Sequence, residues 1–199
     1  MDAITELKIE YFFMGLVKEY RRTFKPCSDP SWRQISVWQY APHLKPSRAW
    51  ERSLAEMNGV CWNDPWHTGV CLPIALFAKA WFKDVLGLSA ELCAIKTRMD
   101  LCGIILPNMP WSFLHAVIKC NGRFYDTFIP RGTTSFKKVY GGNVAHQGMS
   151  SKIVPHSHAE FNVGQMKSIF QDFILPMKQK MYPENTAGAE FQSIFKELL

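Results

Sequence analysis

The residues of this chain with most to offer chemically are Cys71, His115 and Asp126, and the local sequence relates two of them in space. Asn121-Gly122 is a dipeptide that strongly favours a tight β-hairpin, because both turn positions need positive φ. Strand-like runs at 113–119 and 124–129 flank it. With Asn121 and Gly122 in the turn, Cys120 pairs with Arg123, Val117 with Asp126 and His115 with Phe128. Side chains alternate along a strand, so His115, Val117 and Lys119 share a face with Phe124, Asp126 and Phe128. His115 and Asp126 become diagonal neighbours, about 7–8 Å apart at the backbone, within reach of each other's side chains. A one-residue slip would place them on opposite faces, and the turn chemistry opposes that slip.

Cys71 is expected at the head of a helix over 71–85, with Pro73 tolerated in the first turn. A thiol there feels the positive end of the helix dipole, which favours the thiolate. An adjacent imidazole can take the thiol proton, and a carboxylate behind it fixes the tautomer. Free N–H groups of the first turn could hold an oxyanion, and Gly69 leaves room for a substrate beside the backbone. Such a trio suits attack on a carbonyl carbon, with release of the acyl group to water or an amine.

Gly-x-Cys on an apolar helix, Leu-His-Ala-Val on a strand and Asn-Gly-x-Phe-Tyr-Asp on the next together resemble the transglutaminase-like branch of the papain-like superfamily. The resemblance spans residues 69–128. It implies an α+β fold in which a buried, nucleophile-bearing helix packs on a central antiparallel sheet with flanking helices. It also implies that Cys71 is the nucleophile, His115 the general base and Asp126 the orienting acid of a thiol-dependent hydrolase, a peptidase or amidase. An acyltransferase or transglutaminase-type enzyme would use the same triad, and a non-catalytic basic binding protein could share the scaffold. The chain departs from the pattern in having Val117 where an aromatic is usual, and in lacking an Arg-Gly-Gly before the cysteine or a calcium loop. Asn63, Trp66 and His67 are the nearest candidates for a second oxyanion donor.

The remaining elements follow from periodicity and punctuation. Ile4, Leu7, Tyr11, Met14 and Val17 recur at helical spacing, predicting a helix over 4–22. Prolines 26, 30, 42 and 46 with Trp32, Trp38 and Tyr40 read as an irregular packed segment. Ser47 caps a short helix that Asn58-Gly59 ends. Strands are expected at 88–96 and 103–106, and a stretch rich in Gly, Ser and His, with one or two short strands, over 132–159. Helices follow at 163–181, kinked at Pro176, and at 187–198. All this forms one domain, 1–199: an N-terminal helical segment 1–58, a catalytic core at about 60–155 and C-terminal helices over 160–199.

Composition narrows the classes. Hydrophobic residues at 47% and charged residues at 20% are those of a globular domain with a real core. No apolar run approaches the roughly 18 residues of a spanning helix, and the acidic start is unlike a secretory signal. Six cysteines (27, 61, 71, 93, 102 and 120) form no CxxC pair, which points to free thiols in a reducing cytoplasm and away from structural zinc. Cys61, Cys93, Cys102 and Cys120 read as packing. His146, His156 and His158 read as a solvated loop, with Glu160 the one acidic neighbour. The net charge of +6 gathers loosely at Lys18, Arg21, Arg22, Lys25, Lys137 and Lys138, without a nucleic-acid motif, and reads as a solvated face. The expected partner is a peptide or amide substrate, with no cofactor and no metal.

Overall fold

The computed structural model describes residues 1–23, 71–98, 112–127, 129–139, 150–155, 167 and 169–199. Helix α1, Ala3–Thr23, opens on Asp2, whose carboxylate accepts from the Thr5 amide at 2.9 Å and the Thr5 hydroxyl at 2.8 Å. These bonds satisfy a donor that the helix start would otherwise strand. The helix lies where its periodicity placed it, but a different stripe is buried. Ile9, Phe12, Phe13, Leu16 and Tyr20 face the core, whereas Leu7, Tyr11 and Met14 are exposed, as is Ile4 at 69%. Both stripes obey helical spacing. The one with three aromatic rings offers more apolar area to remove from water, and it wins. Phe12 stacks on Trp81 with ring centroids 4.1 Å apart.

Helix α2, Cys71–Leu86, has 11 of its 16 residues buried, too many for one face to carry. Gly87, at φ +67°, turns the chain out of it, and the amides of Gly87 and Leu88 close on the Lys83 and Phe82 carbonyls.

Among the described residues four antiparallel strands follow: β1 (Glu91–Arg98), β2 (Ser112–Cys120), β3 (Arg123–Tyr125) and β4 (Ser150–Pro155), in the order β3-β2-β1-β4. Asn121 (φ 49°) and Gly122 (φ 74°) make the β2–β3 turn, and Cys120↔Arg123, Lys119↔Phe124 and Ile118↔Tyr125 are paired as the turn dipeptide dictates. The strand expected over 124–129 instead stops at Tyr125. Beyond it the chain folds back, and Phe124 and Thr133 exchange backbone hydrogen bonds of 2.7 and 2.9 Å. Val117↔Asp126 is therefore not a ladder pair.

The sheet has two buried faces. Leu92, Ala116, Ile118, Cys120 and Tyr125 join α1, α2 and the C-terminal helices in the main core, while Cys93, Ile95, Val117 and Phe124 pack with Val139, Ile129 and Phe136 in a smaller one. The fold is thus mixed, with helices set against a small antiparallel sheet.

At the C-terminal end, π-helical residues Phe170–Ile174 run into α3, Leu175–Met181, with Pro176 in its first turn. Proline lacks an N–H and crowds the carbonyl four residues back, so the ladder widens before it, where the sequence predicted a kink. The short α4, Ala189–Ile194, begins after Gly188, which has no capping side chain. Asp84 of α2 supplies that cap, accepting from the amides of Glu190 (2.9 Å) and Phe191 (3.0 Å) and from the Tyr182 hydroxyl (3.3 Å). Lys79 of α2 also meets Glu190 at 3.5 Å. No helix among the described residues is long and apolar enough to cross a membrane. The segment 26–46, the helix after Ser47, the strand 103–106 and the histidines 146, 156 and 158 lie outside the described residues.

Candidate active site

Three elements bring the candidate residues together. Cys71 is the first residue of α2 and is 4% exposed. His115 lies on β2 and Asp126 just past the end of β3, both at 0% exposure. His115 Nε2 is 3.3 Å from Asp126 Oδ2. The other carboxylate oxygen, Oδ1, accepts from the Ile129 amide at 2.9 Å. Asp126 is thus fixed by a turn of its own chain while it faces the imidazole, an arrangement that suits a group whose task is orientation.

Ile95, the cross-strand partner of His115, packs with Val117 and Phe124, so His115 lies on that face of the sheet. The ladder is irregular at that position. Ile95 pairs with His115 but Lys96 pairs with Phe113, so Leu114 is an extra residue on β2.

The electrostatics couple all three groups. Burial pulls the His115 pKa down, but hydrogen bonds to Asp126 and Cys71 and the negative charges of both more than offset it. The result is a pKa raised from 6.5 to about 9. With Nε2 turned to Asp126, proton exchange with the Cys71 thiol would fall to Nδ1. The trio can hold an imidazolium between a carboxylate and a thiolate, the charge state a cysteine nucleophile needs.

Burial, with the Glu91 charge beside it, pushes the Cys93 thiol up to about 12, and burial raises that of Cys120. Both are free and buried in packing positions. Among the described residues no group of three His, Cys, Asp or Glu side chains is arranged to hold a metal ion. Gly69, the possible oxyanion donors Asn63, Trp66 and His67, and Phe128 lie outside the described residues, as do Cys61 and Cys102.

Compared with protein-family models, curated proteins and solved structures, the chain has no match. Its site is therefore read from its own geometry. Sequence reasoning missed two parts of that geometry. One is the bulge at Leu114, for which alternating apolar residues give no sign. The other is the return of the chain after Asp126, for which Pro130-Arg131-Gly132 was an available turn signal.

Proposed function

We propose that this protein is a thiol-dependent hydrolase of the peptidase or amidase class, built on a papain-like or transglutaminase-like arrangement of helix and sheet. The observation that carries the reading is the fully buried His115–Asp126 contact at 3.3 Å, with the imidazole acted on by Cys71 as well. Burying such a pair is a poor way to gain stability, since apolar residues of similar volume do as well or better. Perturbed titratable groups gathered around a nucleophile are what a catalytic centre requires.

In this mechanism Cys71 Sγ attacks the carbonyl carbon of a peptide or amide, after its proton has passed to His115 Nδ1. N–H groups at the start of α2 stabilise the oxyanion. His115 returns the proton to the leaving nitrogen as the C–N bond breaks, which leaves a thioester on Cys71. Water then attacks the thioester with His115 as base, releasing the acid and restoring the thiol. Asp126 keeps the ring in the productive tautomer and supports its positive charge. A cytoplasmic location goes with this reading, because the free thiols at Cys71, Cys93 and Cys120 suit a reducing compartment.

The test is alkylation by iodoacetamide at about pH 7, followed site by site by mass spectrometry, alongside a screen of peptide and amide substrates. Cys71 should be labelled well before Cys93 and Cys120, and Cys71→Ala should abolish any turnover found. Uniformly slow labelling would overturn the reading. An added amine that diverts the acyl group from water would assign transfer in place of hydrolysis.

A further inference from the structure

The carboxylate of Asp126 is held from behind by a chain of contacts that ends at a glycine. The Ile129 amide donates to Asp126 Oδ1 at 2.9 Å, leaving Oδ2 for His115. The Ile129 carbonyl accepts from the Gly132 amide at 2.8 Å, which closes the turn. Gly132 has φ +71° and lies against the ring of Tyr125, the residue just before Asp126. A methyl group there would stand 2.7 Å from Tyr125 Cζ and 2.9 Å from Cδ1, closer than real side chains come.

We propose that Gly132 is a positioning residue for Asp126: it seats the turn on the Tyr125 ring so that the Ile129 amide aims the carboxylate at His115. The proposal rests on the hydrolase reading and extends it to a residue that touches neither substrate nor nucleophile. Its force comes from the immobility of the ring. Tyr125 is fully buried, lies parallel to Phe13 of α1 with centroids 6.4 Å apart, and meets Phe82 of α2 edge-on at 5.7 Å. Two ion pairs from successive turns of α1 grip the same stretch from outside. Glu6 binds Arg123 at 3.2 Å, Glu10 binds Arg131 at 2.8 Å, and Arg123 also reaches the Gly132 carbonyl at 3.4 Å.

With the ring fixed by two helices, a side chain at residue 132 must displace the turn. Positive φ adds to the cost for any residue but glycine. An opened turn withdraws the Ile129 N–H, and the freed carboxylate can rotate away from the imidazole.

The experiment is an NMR titration of the His115 ring, assigned by His115→Gln, on the full chain as wild type, Gly132→Ala, Ile129→Pro and Asp126→Asn. Thermal melting and iodoacetamide rates at about pH 7 accompany it. Ile129→Pro deletes the amide that holds Oδ1 and keeps the question open should Gly132→Ala fail to fold. The wild-type ring should titrate at about 9. In Gly132→Ala and Ile129→Pro it should fall toward 6.5, as in Asp126→Asn, with Cys71 alkylation slowed about tenfold or more. A Gly132→Ala protein that melts lower yet keeps the wild-type titration would overturn the positioning role alone. Wild-type His115 titrating at its ordinary value would overturn the hydrolase reading and the positioning role with it.

Discussion

Stability should fall as the solution is made alkaline, and His115 sets the window. Its pKa is 6.5 unperturbed and about 9 in the folded chain. Each pH unit of difference is worth about 1.4 kcal/mol, so the protonated ring contributes about 3 kcal/mol to folding. The full increment is present below about pH 6.5, where folded and unfolded chains both carry the proton. Between 6.5 and 9 the unfolded chain has lost its proton while the folded one keeps it, and the increment shrinks. Above about 9 it is gone. The ring is completely buried, so solvent screening does not reduce this figure much.

The assay is urea unfolding at a series of pH values for wild type and His115→Gln, reading the difference between them. That subtraction removes the other titrating groups, which both proteins share. The difference should decline by about 3 kcal/mol from mildly acidic to alkaline solution. In a Cys71→Ala background the decline should be smaller but not zero, because Asp126 alone then holds the charge. Two curves that run parallel across the window would refute the coupling of His115 to its neighbours.

Other outcomes test the frame around the site. Asp84→Ala should cost about 2 kcal/mol in urea unfolding, since two amides and the Tyr182 hydroxyl lose their acceptor, and hydrogen exchange should show α4 loosened first. Ile9→Ser should cost several kcal/mol where Ile4→Ser stays within about 0.5 kcal/mol, a contrast that checks which face of α1 is buried. Phe13→Ala should cost about 3–5 kcal/mol by opening a cavity beneath Tyr125. A loss below about 1 kcal/mol would mean that α1 is not seated on that ring.

Much of the site was legible because it depends on local rules. Asn121-Gly122 determines its hairpin with two residues, and that register brings His115 and Asp126 to one end of the sheet. Cys71 at a helix start could be read from the apolar run that follows it. The face of α1 could not be read the same way. Ile4, Leu7, Tyr11 and Met14 repeat as regularly as Ile9, Phe12, Phe13 and Leu16, and only partners from distant sequence, Trp81 and Tyr125, decide between them. The bulge at Leu114 is a property of the β1–β2 pairing, which no single strand carries. The cap on α4 comes from Asp84, more than a hundred residues earlier, and no local motif announces it.

The burial of His115 and Asp126 also decides which variants can separate catalysis from scaffolding. Alanine at His115 strands a carboxylate at zero exposure, and breaking a buried pair costs about 3–5 kcal/mol whether or not the pair does chemistry. A lower melting temperature in His115→Ala therefore marks neither role. Substitutions that keep shape and hydrogen bonding are informative, because His115→Gln still fills the site and can donate to Asp126 but cannot exchange a proton with Cys71. If the trio is catalytic, alkylation of Cys71 at about pH 7 should slow by about 100-fold or more in His115→Gln, the scale on which a positioned base acts. Asp126→Asn should keep part of the rate, since an amide still orients the ring without supporting its charge. Should Cys71 react at one rate in wild type and both variants, the buried pair is scaffold and the thiol an ordinary one.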